Sequence, residues 1–96
     1  MTFEESLRLT LEQDEGIVHA VYEDHMGNPT CGIGHLLIEE TDREYGWPIG
    51  TEISEARVTQ LYNQDIAVAL KDARWLQPDF DELPDDARIV IASLCF

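Results

Sequence analysis

The feature that most constrains the fold is a run of apolar residues, Val58, Leu61, Tyr62, Ile66, Ala69, Leu70 and Ala73, recurring at three- and four-residue steps. Those steps return to one side of an α-helix, which turns once in about 3.6 residues. The spacing predicts a single amphipathic helix across residues 54–75. Ser54 is placed to cap its first turn, Glu55 sits favourably at the positive end of the helix dipole, and Pro78 follows its end. Such a helix is roughly 30 Å long, so a 96-residue chain must arrange everything else around it.

The rest of the chain divides into short elements. Thr2 and Glu5 form a T-x-x-E capping box that opens a helix expected to run through about Asp14. Phe3, Leu7 and Leu11 supply its apolar side, and Gly16 suits the position beyond its end, so Glu15 falls at the helix exit. "IVHAVYED" is rich in β-branched and aromatic residues and reads as a strand. "HMGN" carries turn chemistry, and "PTCGIGH" reads as the returning strand, thinned by Gly32 and Gly34 where a backbone or a ligand approaches. This hairpin brings Asp24 and Thr30 to neighbouring places. Residues 38–53 show no period and read as an irregular acidic connection.

Pro84 with Asp85 and Asp86 starts a last helix. Ala87, Ile89, Val90, Ile91, Ala92, Leu94, Cys95 and Phe96 leave it apolar nearly all round, the pattern of a helix inside a protein. It is expected to be covered by a C-terminal lobe, a partner chain or a second copy, and the isolated chain is expected to associate. The fold class is α+β. Residues 1–53 form a helix and small-sheet lobe, 54–75 a long connecting helix, and 76–96 the start of an incomplete C-terminal helical lobe.

Twenty Asp and Glu against six Lys and Arg give a formal charge of −14. Such a surface repels nucleic acid and anionic membranes, which are excluded as general partners. It suits solubility or a salty medium. No apolar run is long enough for membrane insertion. The N-terminus lacks the basic and apolar regions of a signal peptide, so the product is expected to start in a cytoplasm. Cys31 and Cys95 are too few for a disulfide framework and read as reduced, packed thiols. His19, His25 and His35 show no metal-ligand spacing, and neither a metal nor another cofactor is expected. His19 and His25 read as solvated strand and turn residues.

The residues suited to chemistry are Glu15, Asp24 and Thr30, spaced E-x8-D-x5-T. Hydrolysis of a glycosidic bond needs an acid for the leaving oxygen and a carboxylate that activates water or attacks directly. A Glu leaning on the core at a helix end is expected to be partly desolvated and protonated. An Asp beside a hairpin turn stays ionised, and a nearby Thr hydroxyl orients its water. With twenty acidic residues in 96, the spacing alone decides little.

"DEG", "YEDHMGNPT", "GIGHLL" and "LYNQD", in that order, together with the closing "IASLCF", resemble the phage-type lysozyme (endolysin, muramidase) family. The resemblance covers nearly all of the sequence but little more than half of a typical member. It implies that Glu15 is the general acid, that Asp24 holds and activates water, and that Thr30 places that water. It implies inverting hydrolysis of the β-1,4 bond between N-acetylmuramic acid and N-acetylglucosamine. The partner would be bacterial cell-wall peptidoglycan, reached from the host cytoplasm at lysis. Leu36 and Phe96 match positions lining the saccharide cleft, although either also reads as a core residue. Asp65 lies on the apolar stripe of the long helix, where an unpaired carboxylate is costly, and the resemblance pairs it with His35 in a structural ion pair. The segment between Leu37 and Ile53 is shorter than in the best-known members. The resemblance does not extend to the C-terminal lobe, which in the family forms the other cleft wall and supplies an arginine near the catalytic Glu. The competing reading is a non-catalytic, lysozyme-derived structural or binding module.

Overall fold

The computed structural model describes all 96 residues. Thr2 Oγ1 accepts from the Glu5 N–H, and the Glu5 carboxylate accepts from the Thr2 N–H, both at 3.1 Å. This reciprocal box opens helix α1, Phe3–Glu15, which buries Leu7 and Leu11. The helix therefore carries Glu15 as its last residue, one beyond the expected Asp14. Gly16, at φ +78°, turns the chain away.

Strand β1, Val18–Glu23, leads into a turn closed by the Asp24 N–H on the Asn28 carbonyl at 2.9 Å. Strand β2, Pro29–Gly32, returns antiparallel, with Tyr22 opposite Thr30. The single returning strand expected over "PTCGIGH" is in fact two. Gly32 and Gly34 take φ of +63° and +62°, the left-handed region that glycine enters without steric cost. The chain reverses there, and β3, His35–Leu36, pairs back on β2 with Cys31 opposite His35 and Thr30 opposite Leu36. The other edge of β1 is covered by the end of the irregular connection. Val21 donates to Thr51 at 2.9 Å, Gly50 to Val21 at 2.7 Å and Ile53 to His19 at 2.9 Å.

Helix α2, Glu55–Leu76, starts at Ser54, whose hydroxyl accepts from the Arg57 N–H at 3.1 Å. It buries Val58, Leu61, Tyr62, Ala69 and Ala73. A 3-10 turn, Phe80–Glu82, seats the fully buried Phe80 before helix α3, Asp85–Cys95. Thirteen buried side chains form one continuous core under the sheet and between the three helices. The small sheet beside three helices makes the architecture α+β. No helix is long and apolar enough to cross a membrane.

Helix α3 packs against α1 and α2, yet Ala92 is its one fully buried residue. Val90 and Leu94 are 60% and 83% exposed, and Trp75 at the end of α2 is 81% exposed. Ile89, Ile91, Cys95 and Phe96 pack against the core, so the bare part of the helix that the sequence marks for burial is the face of Val90 and Leu94.

Candidate active site

The C-terminal end of α1, the β1–β2 turn and the Gly32–Gly34 reversal meet around an open cleft of about 360 Å³. Glu15, Asp24, Thr30 and Leu36 all line it, together with Tyr22, Glu23, His25 and Gly34. Leu36, 48% exposed, is a wall of the cleft and not a core residue. Phe96 is elsewhere: its ring packs against the core, 6.0 Å from the ring of Tyr62, and it takes no part in this cleft.

Asp24 is fixed by the turn that follows it. Its Oδ1 accepts the Met26 N–H at 2.8 Å and the Asn28 N–H at 2.9 Å. The bond from Asn28 is the main reason that its carboxyl is held below the usual carboxylate value, against the opposing effect of desolvation, with the bond from Met26 and the charge of the nearby His25 adding to the lowering. Both bonds fall on one oxygen, and no protein donor occupies Oδ2. Thr30 is buried, and its hydroxyl donates to the Asn28 carbonyl at 3.0 Å. A hydroxyl has one proton and two lone pairs. With its proton committed to Asn28, Thr30 faces the cleft as an acceptor.

Glu15 is exposed, so the expectation of a carboxyl partly desolvated against the core is corrected. It is the end residue of α1, past the buried Leu11, and its side chain lies over Gly34. A methyl group at position 34 would stand 3.1 Å from Glu15 Oε2 and 3.3 Å from its Cβ. The "GIGH" run thus acts on the cleft twice, reversing the chain and leaving room for the Glu15 side chain. Tyr22 was not singled out in the sequence, although it lies two residues before Asp24, the strand spacing that returns to the same face. Burial raises its phenol above the ordinary value, and the charges of Asp24 and Glu15 add to that, so it lines the cleft as a neutral hydroxyl.

Beneath the cleft stands a second set of charges. His35 is nearly buried between two carboxylates: Nδ1 is 2.6 Å from Asp65 Oδ2, and Nε2 is 2.9 Å from Asp42 Oδ2. The Asp65 bond, and then that to Asp42, raise the His35 pKa against the effect of burial. Asp42 also accepts the Ile38 N–H at 2.8 Å. Glu44, 1% exposed, receives Arg57 in bidentate fashion, Nε to Oε2 at 2.6 Å and Nη2 to Oε1 at 2.9 Å. Asp42 and Glu44 lie in the connection that shows no period, and nothing local in the sequence marks them. His19, expected as a solvated residue, has its Nε2 against the Glu55 carboxylate, while His25 is exposed at the cleft.

The sequence model of the Phage lysozyme family matches residues 12–95. The chain belongs to the phage lysozyme family. A "Probable T4-type lysozyme 2" from Dictyostelium discoideum is 28% identical to it over 109 aligned residues, covering 95% of this chain. The chain spans 64% of that relative's length. The phage lysozyme match takes in Glu15, Asp24, Thr30, His35, Leu36 and Asp65 and ends one residue before Phe96.

Proposed function

We propose that this chain carries the acid/base machinery of a peptidoglycan hydrolase, cleaving the β-1,4 bond between N-acetylmuramic acid and N-acetylglucosamine with inversion. The observation that carries the reading is the convergence of Glu15, Asp24 and Thr30, from three different elements, on one open cleft. Glu15 is the general acid: its carboxyl has no hydrogen-bond partner in the protein and meets the glycosidic oxygen of a bound glycan. Asp24 is the base, kept ionised by the two turn N–H groups on Oδ1 and left with Oδ2 for a proton. A water that donates one hydrogen to Asp24 and the other to the lone pair of Thr30 turns its oxygen toward the anomeric carbon. It attacks from the face opposite Glu15, and inversion follows. An inverting pair works with its carboxyl groups about 6.5–9.5 Å apart, which leaves space for that water. Leu36 offers an apolar surface to the sugar ring.

Membership of the phage lysozyme family and the likeness to a T4-type lysozyme support this reading. The bare apolar face of α3 favours a second one, a module that holds glycan or a partner without cleaving, and which self-associates through Val90 and Leu94. Release of reducing ends from purified peptidoglycan separates the two. Glu15→Gln keeps the shape and removes the proton donor, and should lower the rate about 10²–10⁴-fold. Asp24→Asn should also be severe, with Thr30→Ala costing rate through water placement alone. Wild-type binding without any release of reducing ends favours the module. A rate unchanged in Glu15→Gln overturns the mechanism.

A further inference from the structure

The cleft carries an electrostatic problem. Glu15, Glu23 and Asp24 line it, and none of the six Lys and Arg side chains does. Peptidoglycan is itself anionic, through the carboxylates of its lactyl and peptide groups, so Glu23 and Asp24 in one open depression repel the strand that has to enter it, even while Glu15 holds the proton it donates. His25 is the single lining residue able to carry positive charge. It follows Asp24 directly in the turn, it is exposed to whatever lies in the cleft, and its charge is felt at Asp24.

We propose that His25 is the specificity residue of this cleft, taking hold of a carboxylate of the glycan strand and so favouring anionic peptidoglycan over a neutral glycan of the same length. This rests on the hydrolase reading but adds a substrate preference and a pH dependence to it. The titratable groups that share the cleft with His25 are Glu23 and Tyr22 on β1, Asp24 just beyond it and Glu15 from α1; β2 and β3 contribute Thr30 and Leu36, which do not titrate. Histidine is the side-chain type whose charge changes between about pH 5 and pH 8. Protonated, it offsets negative charge in the cleft and gives the glycan carboxylate a donor. Neutral, it leaves the cleft wholly repulsive to an anion and indifferent to a neutral sugar.

The test uses two probes, a carboxylate-bearing muropeptide fragment and a neutral N-acetylglucosamine oligomer of equal glycan length. Binding of each to the whole chain is measured calorimetrically near pH 5 and near pH 8. An exposed charge pair is worth up to about 1 kcal/mol, so the wild type should hold the muropeptide about two- to fivefold more tightly at the lower pH. The neutral oligomer should show no such change. His25→Gln should reduce muropeptide binding at low pH to the wild-type level at high pH, and His25→Lys should keep it high at both. Loss of both probes in equal measure, or muropeptide binding that ignores position 25, overturns the proposal while leaving the hydrolase reading in place. Failure of the wild type to bind either glycan overturns that reading and the His25 proposal with it.

Discussion

The cleft and the layer beneath it are built from the same residue types and treat them in opposite ways. Glu44 and Asp42 are buried, and partners meet both oxygens of Glu44, while Asp42 takes His35 and the Ile38 N–H on one oxygen. Glu15 is exposed with no partner, and Asp24 is tied through one oxygen alone. A buried carboxylate persists as an ion only when its neighbours replace the water it has lost. An exposed one with an unoccupied oxygen can give or take a proton. The difference lies in burial and pairing: the buried, paired carboxylates hold the irregular connection to α2, and the more exposed ones line the cleft.

The largest effect expected from disturbing this contrast is at Arg57. Arg57→Leu leaves the buried Glu44 carboxylate with only the exposed Arg43, 3.6 Å away, a change that approaches the cost of breaking a buried pair, about 3–5 kcal/mol. Chemical denaturation should show it as a lowered midpoint. Removing both charges together, in Glu44→Leu with Arg57→Leu, should be far milder than either alone, and a double variant as unstable as the single one would mean that packing, not charge, sets the loss.

His35 comes next. Its folded pKa is raised by Asp65 and Asp42, so its contribution is complete below the unfolded-state value near 6.5. That contribution is lost as pH rises through the folded value. Stability measured across that range should fall with pH in the wild type and lose most of this slope in His35→Gln. A slope that persists in the variant would place the pH dependence in other groups.

Gly34→Ala adds two strains at once. A left-handed backbone costs a non-glycine residue roughly 1–2 kcal/mol, and the new methyl group presses on Glu15 at 3.1–3.3 Å. Stability should drop modestly while glycan cleavage drops further if Glu15 is the acid as proposed, because its carboxyl is displaced. Equal losses would mean that the glycine serves the turn alone. The smallest effect is that of salt. At −14 the chain repels an anionic wall, and moderate salt should raise the rate of wall lysis by screening that repulsion; a steady fall with salt at constant circular dichroism contradicts this.

The helices were legible because their signals are local. The Thr2–Glu5 box, the Ser54 cap and the three-and-four spacing of α2 each depend on residues a turn or two apart. The α+β class followed from them and from the β-branched run at β1. The third strand was not legible, since "PTCGIGH" has strand composition throughout and only the left-handed glycines reveal that it doubles back. Asp42 and Glu44 escaped notice because what makes them structural is a partner elsewhere: Arg57, thirteen residues beyond Glu44, and His35, seven before Asp42. Glu15 was expected to lean on the core from its place at the helix end, whereas Gly16 turns the chain there and the side chain lies exposed over Gly34. Phe96 was placed in the cleft by resemblance alone, and its ring instead packs beside Tyr62.

The central claim, that buried, paired carboxylates build the fold while exposed ones line the cleft, is tested most directly by unfolding two matched variants side by side. Glu15→Gln and Glu44→Gln make the same chemical change in the same chain. The account predicts that Glu15→Gln unfolds within about 0.5 kcal/mol of the wild type, as exposed substitutions do. Glu44→Gln should be less stable by about 3 kcal/mol or more, because Arg57 loses its counter-charge. Equal stability of the two variants, or the greater loss in Glu15→Gln, would contradict it.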